Sequence, residues 1–296
     1  MKKSARKEVD RVIDRCRVRP DRRFRLERHD PADTAGLSLE GKEGKAMLRR
    51  GVEMLADLQS KLYAQDRWGV LLVFQAMDAA GKDGTINHVM SGVNPQGVQV
   101  YSFKIPSSEE LDHDFLWRTT KCIPERGRIG IFNRSYYEEV LVVRVHPDFL
   151  AAQKLPPRLV TKRIWKERYE DINAFERYLS RNGVVILKFF LHVSKKEQKR
   201  RFLERLDMPD KNWKFSMADA KERGFWNDYM RAYEDMIAAT STDWAPWHVV
   251  PADNKWFTRL AVAATVIRAL EKLDLAYPKV DKAKRRELAR VRKALA

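Results

Sequence analysis

The sequence has few cysteines and no long apolar run. Its two cysteines, Cys16 and Cys122, form no CxxC pair, which argues against a disulfide framework and against a zinc site. No apolar stretch approaches the roughly 20 residues of a membrane-spanning helix, and no apolar segment follows the basic N-terminus as in a secretory signal. The histidines show neither metal-ligand spacing nor the Ser, His, Asp order of a hydrolase. These absences predict a soluble, cytoplasmic protein.

Acidic residues are scarce relative to basic ones. The chain has 58 Lys and Arg against 41 Asp and Glu, which gives a formal net charge of +17. Such an excess favours polyanionic partners, such as nucleic acid, anionic lipid or a phosphate polymer. A solvated surface tuned for solubility is the alternative interpretation.

Short apolar segments predict strands, and helical patterns separate them. The predicted strands cover residues 70–74, 98–103, 127–132, 184–193 and 247–250. The predicted helices cover residues 42–63, 107–121, 157–179, 195–205 and 257–273. Strands that alternate with helices of this length indicate an α/β fold, in which a parallel sheet has helices on both faces and binds ligands at the carboxyl ends of its strands.

The first predicted strand leads into the stretch AMDAAGKDGT, residues 76–85. Strand, small-residue loop and helix are the layout of a phosphate-binding loop, where backbone N–H groups surround an anion and a lysine contacts the outer phosphates. The predicted phosphate-binding residues are Ala79, Ala80, Gly81, Lys82, Asp83, Gly84 and Thr85. The match to GxxxxGK[ST] is incomplete, because Ala76 replaces the first glycine and Asp83 replaces the hydroxyl residue. On the loop alone, an ordinary strand-to-helix turn is an equal alternative.

Charged side chains follow the first and third predicted strands, whose carboxyl ends should meet at one edge of the sheet. Asp78 and Lys82 follow the first strand, and Asn133, Arg134 and Glu138 follow the third. Phosphoryl transfer needs cations for the transferred group and carboxylates for Mg²⁺. We therefore predict Asp78, Lys82 and Arg134 as catalytic residues and Asp78 and Glu138 as Mg²⁺ ligands. Surface ion pairing of these acids is the alternative.

A basic helical segment follows the fourth predicted strand. Arg201 and Arg205 lie four residues apart on one helix face, and Lys211 and Lys214 come shortly after them. Such a segment can fold over bound phosphates as a lid. A solvated charged face fits the same pattern.

Several stretches together resemble the polyphosphate kinase 2 family. They include FQAMDAAGKDGT, RGRIGIFNRSYYEEVLVVRVHP and ILKFFLHVSKKEQKRRFLERL, and the likeness runs in order through roughly residues 20–275. The chain most resembles the class III branch, which implies phosphoryl transfer between inorganic polyphosphate and AMP or ADP, forming ADP and ATP. The resemblance further implies a P-loop kinase fold similar to thymidylate kinases, Mg²⁺ as cofactor and a homo-oligomer.

The resemblance also implies roles for individual residues. Asp78 and Lys82 match the Walker A region, Asn133 and Arg134 the Walker B region, and residues 201–214 the lid. The phosphate- or nucleotide-binding residues then include Asn133, Arg201, Arg205, Lys211 and Lys214. Asn133 stands where a Walker B carboxylate is expected, so metal binding should fall to Asp78 and Glu138.

The chain is expected to have one catalytic domain and two flanking segments. Residues 1–41 are rich in charge and interrupted by prolines, which predicts a basic extension lying on the surface. Residues 42–275 form the predicted P-loop kinase-like domain, with the lid at about residues 195–225. Residues 276–296 are predicted to be a basic, solvent-facing helical tail.

A polymer with about one charge per phosphate fits the basic excess of this chain. Lys104, Arg118 and Arg144 are candidates to line a polyphosphate channel. No Ser, His or Cys nucleophile is needed if the acceptor phosphate attacks directly in line. Two other functions stay open, namely an ATP-using nucleoside monophosphate kinase and a non-catalytic polyanion or nucleic-acid binder. Nucleic acid is the weaker expectation as a partner, because the sequence has no recognisable nucleic-acid-binding motif.

Overall fold

A five-stranded parallel sheet forms the centre of the computed structural model, which describes residues 3–20, 23–38, 42–210, 212–214 and 217–296. The strands are β1 (Gly69–Ala76), β2 (Val98–Ser102), β3 (Ile129–Asn133), β4 (Val184–His192) and β5 (Trp247–Pro251). Their order across the sheet is β2-β3-β1-β4-β5, and each neighbouring pair is parallel. The predicted α/β fold and its five strands are confirmed.

Strand β1 lies in the middle of the sheet, between β3 and β4. All eight of its residues are buried. Because side chains alternate between the two faces of a strand, continuous burial means that both faces of the sheet are covered. The apolar run that predicted this strand is therefore explained by helices on both sides.

The described residues form thirteen α-helices, which fall into two packing groups with a few short connecting helices. Their bounds are α1 (Lys3–Cys16), α2 (Lys42–Gln65), α3 (Lys82–Val89), α4 (Ser108–Leu111), α5 (Trp117–Thr120), α6 (Val142–Val145), α7 (Pro147–Ala151), α8 (Ile164–Arg181), α9 (Lys195–Asp207), α10 (Met217–Glu222), α11 (Trp226–Thr240), α12 (Lys255–Glu271) and α13 (Lys282–Leu295). Helices α1, α2 and α3 all pack against α12, while α11 packs against α6 and α8.

Two predicted helices differ from those observed. The helix expected at residues 157–179 begins at Ile164, and Pro157–Leu159 forms a separate 3₁₀ turn. Val160 leaves helical backbone with ψ 76°, and Thr161 Oγ1 accepts the Arg163 N–H in a local turn just before α8. The helix expected at residues 107–121 splits into α4 and α5, because Asp114 Oδ1 accepts the Leu116 N–H and turns the chain between them.

The N-terminal segment contributes to the same core as the rest of the chain. Val12 and Cys16 of α1 and Leu26 beyond it are each at most 5% exposed, and the Val18 N–H donates to the Trp247 carbonyl at 2.9 Å. This segment is therefore packed onto β5 and α12 in addition to lying at the surface. In contrast, α13 has no buried residue. Of the helices described, none is both long and apolar enough to span a membrane.

Candidate active site

The loop between β1 and α3, which was predicted to bind phosphate, has two residues with positive φ. Gly81, which precedes α3, has φ +102°, and Ala79 has φ +61°. The first value is accessible mainly to glycine, and the second is an unfavourable left-handed conformation for alanine. The Lys82 ammonium donates to the Ala76 carbonyl at 3.1 Å. A cavity of about 520 Å³ opens beside this loop, lined by its residues 79–81 and 83–85.

Lys82, Asp78, Arg134 and Glu138 form one charged cluster at the carboxyl ends of β1 and β3. Arg134 Nη2 lies 3.3 Å from Asp78 Oδ1, and the Arg134 N–H donates to the Phe74 carbonyl at 3.1 Å. Burial lowers the pKa of Lys82, and the Asp78 carboxylate opposes that shift most strongly. The four residues therefore influence one another electrostatically, as their sequence positions predicted.

Glu138 lies on the 3₁₀ turn Tyr136–Val140, which Ser135 caps by accepting the Tyr137 N–H. Burial raises the pKa of the Glu138 carboxyl, whereas Arg134 and Lys82 oppose that shift. A carboxylate with this burial gains from a cation placed beside it.

Two carboxylates are a donor set that suits Mg²⁺. This ion prefers oxygen ligands and is usually held by one or two carboxylates together with substrate phosphates and water. Asp78 and Glu138 supply such oxygens beside the phosphate-binding loop. Across the described ranges, no group of three or more His, Cys, Asp or Glu residues could hold a metal, so the arrangement fits Mg²⁺ better than a metal enclosed by protein ligands.

Asn133 has a partner that the sequence did not indicate. Its Nδ2 donates to Asp83 Oδ1 at 2.6 Å, which joins the end of β3 to the first turn of α3. The amide therefore orients the carboxylate that follows Lys82. The sequence shows that Asp83 and Asn133 both depart from the standard motifs, but it does not show that these two residues touch.

A second cavity, of about 170 Å³, lies on the other side of Arg134 and Glu138 along the sheet edge, next to the end of β2. Its apolar lining includes Phe103, and Lys104 and Arg118 also line it. Arg118 Nη1 donates to the Lys104 carbonyl at 2.7 Å, and its guanidinium lies 5.5 Å from the centre of the Phe103 ring. A neighbouring cavity of about 330 Å³ shares Arg118. Phe103 was not predicted as a site residue, although it is the last residue of a predicted strand.

Arg144 does not join Lys104 and Arg118. Its guanidinium donates to the Tyr169 hydroxyl at 2.8 Å and to Asp235 Oδ2 at 2.6 Å. The prediction that Arg144 lines a channel is corrected to a structural role, because this ion pair ties α6 to α8 and α11.

The lid residues divide into three groups. Arg205 lines the loop cavity, together with Lys255 and Arg259 of α12. Arg201 also reaches the loop, but all its N–H groups are donated to protein oxygens, which corrects the predicted phosphate contact. Lys211 and the side chain of Lys214 lie outside the described residues.

Lys255 and Arg259 were not predicted as site residues. They lie in the first turns of α12, which follows β5. Because the carboxyl ends of all five parallel strands lie at one edge of the sheet, the segment after the fifth strand was as good a place for site residues as the segment after the third.

The fold and the site together are those of a P-loop kinase-type phosphotransferase. The sheet is parallel, and a glycine-containing loop leads from its central strand into a helix. Beside this loop lie a lysine, an arginine and two carboxylates, and a basic helix covers it. Comparison with known proteins narrows this class. The sequence profile of Polyphosphate kinase 2 (PPK2) matches residues 38–278. The chain belongs to the polyphosphate kinase 2 family, as its motifs indicated.

Individual relatives agree with this assignment. An ADP-polyphosphate phosphotransferase of Rhodopseudomonas palustris is 56% identical over 250 residues, covering 84% of this chain and 86% of that protein. An AMP/ADP-polyphosphate phosphotransferase of Meiothermus ruber is 46% identical over 274 residues, covering 92% and 97%. The crystal structure of Polyphosphate Kinase 2 from Arthrobacter aurescens superposes with a TM-score of 0.84 at 43% identity, covering 94% of this chain and 96% of that one.

Proposed function

We propose that this protein transfers phosphoryl groups between inorganic polyphosphate and adenine nucleotides, converting AMP to ADP and ADP to ATP. The observation that carries the proposal is the placement of Lys82, Arg134, Asp78 and Glu138 between two cavities of different character. The names of the relatives from Rhodopseudomonas palustris and Meiothermus ruber support the same substrates.

We assign the loop cavity to polyphosphate. Its lining includes four cationic side chains, from Arg201, Arg205, Lys255 and Arg259, against the acids Asp83 and Glu204. Backbone N–H groups of the loop and the amino end of α3 add positive potential at the same place. Polyphosphate, unlike a nucleotide, has no base that needs an apolar or aromatic contact. The lining of this cavity suits it, because it supplies charged side chains and no aromatic ring.

We assign the cavity beside β2 to the acceptor nucleotide. Phe103 and neighbouring apolar residues can contact a base, and Arg118 and Arg134 can contact its phosphates. This assignment moves Lys104 and Arg118 from the polyphosphate side, where the sequence placed them, to the nucleotide side. Arg134 borders the acceptor cavity and pairs with Asp78 beside the loop, so it is placed to contact the group in transfer.

The transfer needs positioning and charge stabilisation more than covalent chemistry. An acceptor phosphate oxygen attacks the terminal phosphorus of polyphosphate in line, while the bond from that phosphorus to the bridging oxygen breaks and a chain shorter by one phosphate leaves. Lys82 and Arg134 stabilise the negative charge that develops on the transferred group. Asp78 and Glu138 would hold Mg²⁺, which would supply positive charge to the phosphates in transfer.

The test is product formation from polyphosphate, Mg²⁺ and AMP, ADP or GMP in parallel. We expect AMP to yield ADP and then ATP. Lys82→Met should lower kcat by about 100-fold or more, because a charge-stabilising donor is lost. Lys166→Met is the matched control, since Lys166 is exposed on α8 and should leave the rate unchanged.

Three outcomes would contradict the proposal. Activity with ATP and AMP but none with polyphosphate would indicate an ATP-using nucleoside monophosphate kinase. Tight, salt-dependent binding of DNA without any transfer would indicate a polyanion binder. Full activity of Lys82→Met would contradict the assigned mechanism.

We further propose that both AMP and ADP are acceptors, that the enzyme acts in the cytoplasm where these nucleotides are abundant, and that it forms a homo-oligomer. Light scattering coupled to size-exclusion chromatography tests the oligomer, and a mass of about one chain would refute it.

A further inference from the structure

Helix α9 holds the outer side of the phosphate-binding loop through two side chains. Gln198 Nε2 donates to the Asp78 carbonyl at 3.0 Å. Arg201 Nη1 donates to the carbonyls of Ala79 and Ala80 at 3.0 and 2.9 Å. Three consecutive carbonyls of the loop are therefore fixed by one helix.

Arg201 uses the rest of its guanidinium to attach the same helix to the segment after β5. Its Nη2 donates to the carbonyls of Ala252 and Asp253 at 2.6 and 3.0 Å, and its Nε donates to Glu197 Oε1 at 2.7 Å. A guanidinium has five N–H groups, and all five are donated here. The side chain is only 5% exposed, and although it lines the loop cavity it has no N–H left to donate to a phosphate.

The carbonyl contacts determine where the N–H groups of the loop point. In a trans peptide the C=O of one residue and the N–H of the next point in opposite directions. Holding the carbonyls of residues 78–80 toward α9 therefore directs the N–H groups of residues 79–81 away from α9. The Ala80 N–H donates to the Met77 carbonyl at 3.2 Å and closes the turn, so the N–H groups of Ala79 and Gly81 are the ones that this arrangement can present to a phosphate. Ala79 also keeps a positive φ of +61°, and such a conformation of a non-glycine residue persists only when its surroundings impose it.

Gln198 is itself oriented by the far end of the lid. Arg223 Nη1 donates to Gln198 Oε1 and to the Lys195 carbonyl, each at 2.8 Å. This contact leaves the amide nitrogen of Gln198 facing the Asp78 carbonyl. A chain of hydrogen bonds thus runs from Arg223, at the end of the lid, through Gln198 to the backbone of Asp78, a member of the charged cluster.

We propose that Arg201, assisted by Gln198, is a positioning residue for phosphoryl transfer: it holds the loop carbonyls outward so that the loop N–H groups are arranged for the phosphate before substrate binds. This inference rests on the proposed function. It differs from the usual expectation for a lid arginine, because Arg201 acts on the loop and leaves direct phosphate contact to Arg205 and its neighbours.

The test is Arg201→Gly with chemical rescue by guanidinium ion. We expect kcat to fall by about 100-fold, as for a misplacement of catalytic groups by about 1 Å, with little change in the KM for polyphosphate. Guanidinium at tens of millimolar, far below its denaturing range, should restore part of kcat, whereas methylammonium should not. Lys199→Gly is the matched control, because it introduces glycine at an exposed position of the same helix and should keep wild-type kinetics.

A second variant keeps the proposal testable if Arg201→Gly does not fold. Gln198→Met keeps the side-chain length but removes the donor to Asp78, and we expect kcat to fall about tenfold, as for loss of a supporting hydrogen bond to a site residue. Wild-type kcat in Gln198→Met would overturn the proposal. So would an Arg201→Gly enzyme that has a raised KM for polyphosphate and an unchanged kcat, or one whose kcat guanidinium does not restore. Absence of transfer by the unaltered enzyme would instead refute the proposed function.

Discussion

The exchange Asn133→Asp would restore the carboxylate that a standard Walker B strand carries, yet we expect it to damage this protein. Asn133 Nδ2 donates to Asp83 Oδ1 at 2.6 Å. In the variant this donor becomes a second carboxylate oxygen facing Asp83. The wild-type hydrogen bond is then replaced by repulsion between two negative charges.

The size of the effect follows from the contact. A hydrogen bond to a charged group contributes about 1.5–3 kcal/mol, and two unit charges 4 Å apart repel by roughly 4 kcal/mol at an effective dielectric constant of about 20. Asp83 is exposed and Asn133 is half-buried, so the side chains can rotate apart and water screens them. We expect the free energy of unfolding to fall by about 1–2 kcal/mol.

Urea unfolding in EDTA, from pH 7 to pH 4, measures this loss without interference from metal. Each carboxylate raises the pKa of the other in the folded state. The folded variant therefore binds protons more readily than its unfolded chain, so its deficit is largest at neutral pH and shrinks as the pH falls. The reciprocal variant, Asn133→Asp with Asp83→Asn, exchanges donor and acceptor and should recover most of the stability.

Two results would refute this reasoning. The first is an Asn133→Asp protein as stable as the wild type at pH 7 in EDTA. The second is a reciprocal variant that is no more stable than Asn133→Asp alone, since the two residues would then act independently.

Three further predictions test the site. Burial raises the pKa of Glu138, so its ionisation lowers stability as the pH rises; Glu138→Gln should abolish transfer yet raise the melting temperature at pH 7, and an unchanged melting temperature would argue against a costly buried charge. Gly81→Ala should lower the unfolding free energy by about 1–2 kcal/mol, because alanine is unfavourable at φ +102°; the added Cβ would lie 3.8 Å from its nearest neighbour, Arg201 Nη1, which is an ordinary contact and adds no steric cost. Gly84→Ala is the control, since its Cβ meets open space and the change should be neutral or stabilising. Equal stability of the two variants would contradict the backbone argument. Raising NaCl from about 50 to about 200 mM should increase the KM for polyphosphate at least tenfold and that for AMP far less, and parallel responses would argue against a cationic polymer site.

Much of the fold was predictable because the sequence signals were local. A run of β-forming apolar residues bounded by turns predicts a buried strand wherever it occurs, and β1 and β4 are of this kind. Element ends were less predictable, as α8 shows: its start depends on the turn at Thr161, which no helical periodicity reports. The packing of α1 onto α12 depends on contacts between distant segments, which a single sequence does not reveal.

The candidate site was predictable to the extent that it follows strand ends. Asp78, Lys82, Arg134 and Glu138 meet because parallel strands end at one edge. The roles of Arg118, Arg144 and Arg201 were not predictable, since an arginine in a sequence carries no information about whether its guanidinium faces substrate, an acid or a backbone carbonyl. Asp235 and Tyr169 decide this for Arg144, and both are distant in sequence.

The two departures from the standard motifs are one feature of the structure. A standard loop has a hydroxyl residue after its lysine and a carboxylate at the end of the Walker B strand. Here the residue after Lys82 is the carboxylate, Asp83, and the strand ends in the neutral Asn133, with 2.6 Å between donor and acceptor. The pair still contains one carboxylate and one neutral partner, so the net charge beside the loop is conserved although the positions are exchanged. Each departure alone weakens the match to the motif. Because Asn133 and Asp83 are hydrogen-bonded to each other, the second departure compensates the first. The carboxylate now belongs to the first turn of α3, where the positive end of the helix favours it, and Asn133 orients it.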